Sequence, residues 1–390
     1  MIISALSLIV FLGVSPTVIW QTLTAEWHDK PLGQTTGYLF VSISALVLLV
    51  NVIAVAMKQA GVTERLVPAM QGLFRSRRIA IAIIPFIMGM LPTPGGIMLS
   101  APMVRDLGDK IGMERSRSAA INFYFRHQWE PVWPLFPAIP WIEGILGVSV
   151  LSIIIHNSVI ILSGLLGGTI FLLLIGKPLN KKEAPTSTQF HHHLLDFVHA
   201  FWPIALAAGL YAAFNIPPAL GILTAIIGFF ILHKFPLKSW PKMFKAAKDT
   251  EIVMLVFGAL MFKVVLEAGG AISEVTTLMT EYNVPPYLIV FFLPVSVAFL
   301  TGMTSATVGI TFPFLVPFIG TGPDAKMGLE VLAFAGVVCG LSTTPVHLCL
   351  ALSAGYFDTS LWKIVKMILP TLVFVIAGAV AMVIILGQAT

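Results

Sequence analysis

FIMGMLPTPGGIMLSAPM (residues 86–103) and AFLTGMTSATVGITFPFLVP (residues 298–317) are the stretches on which the fold turns. In both, an apolar run stops in a short tract of Gly, Pro, Thr and Ser and resumes as a second run too short to cross a bilayer on its own. Hydrocarbon offers no water to the N–H and C=O groups that such a tract frees. Irregular backbone at that depth therefore survives only inside protein or around a polar cavity. Two interruptions, one per half of the chain, mark the substrate site of a transporter built from repeats.

The surrounding composition fits. Of 390 residues, 57% are hydrophobic and 11% charged, and the mean hydropathy of +0.94 excludes a soluble domain. Cys339 and Cys349 sit in apolar segments and form neither a disulfide framework nor a metal spacing. The apolar N-terminus has no basic leader and no Ala-x-Ala site, so it reads as a retained first span. A net charge of +5 raises nucleic acid as a partner, but the basic residues lie in short loops between spans, where they set orientation. No nucleic acid is expected.

Windows of about 20 apolar residues predict spans near 2–20, 37–57, 145–175, 197–213, 216–233, 250–268 and 362–388. Two further crossings, 118–142 and 327–357, are interrupted by polar residues, and the two opening stretches become re-entrant hairpins at 79–104 and 286–320. The expected fold class is thus all-α and polytopic, with about nine crossings. Placing the N-terminus inside a prokaryotic cytoplasmic membrane puts most Lys and Arg on the inner face, among them Lys58, Arg65, Arg75, Arg105, Lys110, Lys177, Lys238 and Lys363. Glu26, Asp29, Glu143, Glu267, Asp324 and Glu330 then fall outside, as does the C-terminus. Basic loops on both sides of the first hairpin require it to enter and leave from the cytoplasm.

The second half repeats the first upside down. Residues 50–70 resemble residues 255–279, with Glu64 matching Glu274, and Glu130-Pro131-Val132-Trp133 matches Thr344-Pro345-Val346-His347. An unmatched span at 197–213 reverses the starting side, so the second hairpin enters from outside. Three parts are expected: a first repeat over 1–178, a polar cytoplasmic linker over 179–196 that needs no fold of its own, and the extra span with the inverted repeat over 197–390. The tract His191-His192-His193 in the linker lacks Cys or a set of acidic partners and reads as solvated.

This order of span, Ala-Gly exit, hairpin with a Thr/Ser/Pro/Gly tip and broken helix, repeated inverted, resembles the ion transporter superfamily, which includes bacterial dicarboxylate, citrate and gluconate permeases and arsenite-type carriers. The resemblance covers nearly the whole chain. It implies a secondary transporter, commonly a homodimer, with a domain that moves as an elevator. The tips depart from the Ser-Asn-Thr of the sodium dicarboxylate carriers: Pro92-Thr93-Pro94 and Met303-Thr304-Ser305 stand there instead. The resemblance therefore carries the fold further than the substrate.

Candidate ligands of a small organic anion are Thr93, Pro94, Gly95 and Gly96 at one tip and Thr301, Gly302, Thr304 and Ser305 at the other. Glycine admits close backbone approach, hydroxyls donate, and the helix after each tip aims its N-terminal N–H groups at the gap. The plain alternative is a Pro/Gly kink in a tilted helix. In the first broken crossing, Asn122, Arg126, His127 and Glu130 are costly in hydrocarbon and mark a pathway or relay. Arg126 matches a carboxylate bidentately, unless it only pairs with Glu130 at helical spacing. His127 and His347 titrate near physiological pH, and Glu130 is the carboxylate placed to couple protons; a histidine satisfied by one backbone carbonyl is the plainer reading of each. Ser342, Thr343 and Thr344 precede Pro345, whose missing N–H frees oxygens that, with Thr304, suit sodium; hydroxyls bonded back to their own helix explain them as well. His156 and Asn157 need only an interhelical hydrogen bond, and Lys263 with Glu267 reads as a snorkelling pair.

The leading expectation is secondary active transport of a small organic anion, a carboxylate, coupled to protons or sodium, with no other cofactor. An anion channel shares this chemistry without a moving element. An intramembrane enzyme using His127, His347 and Glu130 as acid–base groups has neither a metal signature nor a nucleophile elbow behind it, and a purely structural membrane protein would have no site at all.

Overall fold

The computed structural model describes residues 2–62, 77–90, 97–175, 190–271, 274, 277, 281–282 and 284–388. Among them the regular structure is helical and the chain is a multi-pass membrane protein. The tip residues Pro92, Thr93, Pro94, Gly95 and Gly96, together with Glu64, Arg65, Arg75 and the linker up to residue 189, lie outside the described residues.

The N-terminal run forms two helices instead of one span over 2–20, α1 (Ile2–Leu12) and α2 (Pro16–Asp29). The cause is local: Gly13 takes φ +64°, the Ser15 hydroxyl caps the Val18 N–H, and Pro16 occupies the first turn, where its missing N–H costs nothing. Thr35 likewise caps α3 (Thr36–Gln59), a full crossing. The first hairpin comprises α4 (Arg77–Met88) and α5 (Ile97–Lys110), and α6 (Arg115–Arg126) follows. The chain breaks after Arg126 and resumes as α7 (Ala138–Leu146). The 145–175 span begins only at α8 (Val150–Gly168, continued as a π turn Thr169–Leu174), because Gly147 at φ +65° ends α7 and Ser149 caps α8.

In the second half, α9 (Phe190–Phe214) starts inside the expected linker, so residues 190–196 are helical and not extended. His192 and His193 lie on that helix, outside the core. Then come α10 (Pro218–Leu232), the short α11 (Trp240–Ala246) and α12 (Thr250–Ala268). The second hairpin is α13 (Pro286–Thr301) and α14 (Thr304–Ile319), each 16 residues long. At 1.5 Å per residue that is about 24 Å, short of the roughly 30 Å hydrocarbon core. Next are α15 (Met327–Thr343), buried along nearly its whole length, α16 (Leu348–Tyr356) and α17 (Leu361–Ile385).

Packing alternates between the halves. α6 packs on both arms of the first hairpin, and α15 packs on both arms of the second. The short α7 leaves its own half to lie against α14, while α16 leaves its half to lie against α5. α8 and α17 pair with each other, and α10 rests on α3 as α1 rests on α12. Close approach of α13 to α15 needs the glycines of GVVCG (336–340): a Cβ on Gly336 or Gly340 would collide with the carbonyls of Phe291 and Val295.

Two readings of charge change with the packing. Glu330, read only as an acid toward the outer side, is fully buried on α15, where Asn157 Nδ2 on α8 donates to one of its oxygens at 3.1 Å. Lys263 does not snorkel. It is 4% exposed and donates to Glu26 at 2.9 Å, with Glu267 3.4 Å away and Lys30 bridging Glu26 and Glu267.

Candidate functional site

Four interruptions of helical backbone converge near the middle of the molecule. The first is the end of α4 at Gly89 and Met90; the second is the turn His127–Trp129 and the irregular stretch before α7; the third is Gly302-Met303; the fourth is Thr344 to His347. Each hairpin end is fitted to the break that follows it. A Cβ on Gly89 would sit on the Arg126 carbonyl, and one on Gly302 would lie 2.9 Å from the Val346 carbonyl and 3.0 Å from the His347 N. Gly302 also has φ +65°, a conformation that side chains disfavour. Hydrogen bonds hold the same fit. Arg126 Nη1 donates to the Met88 carbonyl at 2.7 Å, the Thr344 hydroxyl donates to the Phe299 carbonyl, and His347 Nδ1 meets the Gly302 carbonyl at 2.7 Å.

Between the breaks lies a cavity of about 240 Å³, small even for a metabolite site. Arg126, His127, Glu130, Gly302, Thr304, Ser305 and His347 line it, as do Gly89, Asn51, Met303 and Cys349. Val47, Val50, Leu255 and Val256, from α3 and α12, make an apolar wall. His127 Nδ1 is 2.6 Å from the Phe123 carbonyl, and its Nε2 lies 3.1 Å from His347 Nε2. Glu130 Oε1 is 4.0 Å from His127 Nε2, and the Thr304 hydroxyl donates to Glu130 Oε2 at 2.6 Å. Met303, at the N-cap of α14, provides no side-chain cap, and Thr304 and Ser305 of that helix's first turn line the cavity together with Arg126 and Glu130.

The remaining sequence candidates lie elsewhere or are spoken for. Asn122 is fully buried and accepts from Ser100 Oγ at 2.6 Å, which ties α6 to α5. The Thr301 hydroxyl contacts that of Thr307 at 3.0 Å. The Thr343 hydroxyl donates to the Cys339 carbonyl of its own helix at 2.9 Å. Thr344 ties its break to α13, and Ser342 lines a side cleft of about 20 Å³ with His127, Gln128 and Glu130. The expected helical spacing of Arg126 and Glu130 does not occur, because α6 ends at Arg126 and a tighter turn follows. Among the cavity residues that the sequence did not mark as candidate ligands are Asn51, Gly89 and Cys349. Asn51 carried a signal, being a lone amide in the middle of a 24-residue apolar helix; the other two did not. His127, His347 and Cys349 offer ligand atoms within 4.8 Å of one another, which makes them the group among the described residues able to hold a metal ion.

The family described as "Protein of unknown function (DUF401)" matches residues 5–386. A curated relative, the putative TRAP transporter large permease protein of Haemophilus influenzae, is 25% identical over 189 residues, which cover 45% of this chain and 44% of that protein. The chain thus matches less than half the length of that relative. The crystal structure of the YdaH transporter of Alcanivorax borkumensis superposes with a TM-score of 0.54 at 15% identity, covering 90% of this chain and 86% of that one; it shares the fold.

Proposed function

The chain belongs to the DUF401 family, and we propose that it is a secondary active transporter that moves a small organic anion across a prokaryotic cytoplasmic membrane by alternating access. The observation that carries this reading is the convergence of four backbone breaks from both halves of the chain on one small polar cavity. In a membrane such breaks are tolerated only where they are buried in protein or line a polar cavity, and their convergence on one cavity is the arrangement of a transporter's substrate site. Arg126 supplies a delocalised cation for a carboxylate, the uncapped start of α14 adds N–H donors, and the volume admits only a small solute.

Alternating access draws support from the packing. Contacts between the halves come in a matched pair, α7 on α14 and α16 on α5, and each hairpin end fits the break of its own half, Gly89 on Arg126 and Gly302 on Val346. Two inverted repeats exchanged in this way give two near-equivalent arrangements of one molecule, open to opposite sides. In the elevator form proposed here, the hairpins, α6, α7, α15 and α16 travel together, while α3, α12 and the outer helices form the scaffold of a homodimer. Protons or sodium are the coupling ions. The named relatives, a TRAP permease and the YdaH transporter, are consistent with transport.

The test is a thermal-shift screen of purified protein against acetate, lactate, gluconate and succinate, each at low pH or with sodium, followed by counterflow in proteoliposomes. At least one carboxylate is expected to raise the Tm and to show saturable counterflow, and Ser305→Ala and Thr304→Val are expected to weaken its binding about tenfold, the scale of one lost hydrogen bond to a charged group. Flux without saturation would assign a channel, and no response to any organic anion would overturn the reading.

A further inference from the structure

The two cavity histidines meet backbone carbonyls through the same ring nitrogen. His127 Nδ1 lies 2.6 Å from the Phe123 carbonyl, and His347 Nδ1 lies 2.7 Å from the Gly302 carbonyl. A carbonyl oxygen only accepts, so each Nδ1 carries the hydrogen and each neutral ring turns a bare Nε2 lone pair outward. The two Nε2 atoms face each other at 3.1 Å, with the ring planes 70° apart. Phe123 packs on both rings, at 4.4 Å and 5.5 Å between centroids, and fixes their orientation.

An imidazole whose Nδ1 hydrogen is tied to a backbone carbonyl while Nε2 stays open is the arrangement of a metal-bound histidine. The spacing agrees, because two nitrogens on one tetrahedral zinc ion stand about 3.3 Å apart and a nitrogen and a sulfur about 3.6 Å. Cys349 Sγ supplies a third ligand atom. The three lie within 4.8 Å of one another, a difference that rotation of the Cys349 side chain can close. Two imidazoles and a thiolate suit zinc and ions like it, whereas magnesium and calcium prefer oxygens. No sequence spacing announced this set, since His127 lies 220 positions from His347.

We propose that His127, His347 and Cys349 bind one zinc-like divalent ion, whose fourth position opens into the cavity and takes the carboxylate of the transported anion. The role of the anion rests on the transport reading above; the metal site does not. All three residues line the same cavity as Arg126, Glu130, Thr304 and Ser305, so a ligand that completes the tetrahedron comes from that space. Three protein ligands with one position left to a small molecule make the open form of a zinc site. The charges call for an anion there. As the metal binds, the Cys349 thiol loses its proton to solvent and the sulfur takes the metal instead, while the neutral imidazoles release none. The divalent ion and the thiolate leave one positive charge, and Arg126 cancels Glu130, whose carboxylate accepts from Thr304. That charge faces the apolar wall of Val47, Val50, Leu255 and Val256, where it is costly if uncompensated. One monovalent carboxylate removes the cost. The competing fourth ligand is Glu130, whose Oε1 lies 4.0 Å from His127 Nε2.

The experiment uses full-length protein in lipid nanodiscs, with the affinity tag removed and the linker tract silenced by His191→Ala, His192→Ala and His193→Ala. Cobalt(II) is titrated as the spectroscopic probe, with zinc and magnesium as competitors. One equivalent of cobalt is expected to bind with a thiolate-to-cobalt charge-transfer band that zinc, and not magnesium, removes. Cys349→Ser is nearly isosteric, so it is expected to keep the metal-free Tm while losing the band and weakening cobalt binding about 10–100-fold. His127→Gln and His347→Gln are expected to weaken it alike. Binding without the charge-transfer band, or a Cys349→Ser variant that binds as wild type does, would overturn the metal site. The anion is read separately. The Kd of lactate is expected to be about tenfold lower with saturating zinc than with a chelator, and zinc is expected to bind tighter by the same factor when lactate is present. A lactate Kd indifferent to zinc would overturn the anion's place on the metal. So would Glu130→Gln weakening cobalt as much as Cys349→Ser, because Glu130 would then close the coordination. If the metal binds as expected but no carboxylate binds with or without it, the transport reading fails and the metal site stands.

Discussion

Among single residues, the ion network between α2 and α12 shows most clearly what a sequence reveals and what it hides. Glu26 with Lys30, and Lys263 with Glu267, are visible as two separate pairs at helical spacing; their union across 237 positions is a property of the folded chain alone. Burial by itself would raise the Glu26 carboxyl, but the Lys263 charge and hydrogen bond, with the Thr36 N–H, outweigh it and hold the group at about 2. Burial would likewise lower Lys30, yet Glu267 and Glu26 keep it raised. A carboxyl depressed from 4.5 contributes stability that is complete above its ordinary range and is lost as the pH falls toward 2. Differential scanning fluorimetry in detergent is therefore expected to show a wild-type Tm that drops between about pH 4.5 and pH 2, while Glu26→Gln starts lower at pH 7 and falls less. Lys263→Met, which removes the closest cation of Glu26 and leaves it Lys30 and the Thr36 N–H, is expected to cost about 1.5–3 kcal/mol, the scale of a hydrogen bond to a charged group.

At the level of elements, the hairpin ends hold the site's tolerances. The interruption near 302 was legible because Gly, Thr and Ser stop an apolar run, but the reason for glycine there was not: it is the fit of Gly302 against Val346 and His347, 45 residues away. The same holds for α6, whose polar cluster was evident while the end of the helix at Arg126, and with it the loss of a helical Arg126–Glu130 spacing, was not. Gly302→Ala meets backbone, which cannot yield as a side chain does, and must hold a left-handed φ costing about 1–2 kcal/mol. It is expected to lower the Tm and to abolish carboxylate-dependent stabilisation together, since the displaced His347 carries one wall of the cavity. Gly355→Ala on α16, where an added Cβ meets nothing within 4 Å, is expected to leave both unchanged. Equal effects of the two substitutions would show that the turn at 302 has no special fit.

For the whole molecule, hydropathy and the placement of basic residues outlined most helices, because burying apolar length in lipid and keeping Lys and Arg inside are local demands. The splits at Gly13 and Gly147 were missed because caps and positive φ act over a few residues, below the length of a hydropathy window. The burial of Glu330 was missed because the partner of one of its oxygens, Asn157, comes from another helix. The inverted repeat proposed for this chain has a direct test. Lys110 ends the second arm of the first hairpin, and Asp324 follows the second arm of the second; both are exposed. If the second repeat is inverted, these equivalent loops lie on opposite sides of the membrane, and if it is parallel they share one. Labelling of Lys110→Cys and Asp324→Cys in intact cells with a membrane-impermeant maleimide is expected to modify only the cysteine at 324. Lysis should then expose that at 110, in a background where Cys349 is replaced by Ala and Cys339 is buried. Labelling of both from outside would remove the inversion, and with it the mechanism by which one cavity serves two faces.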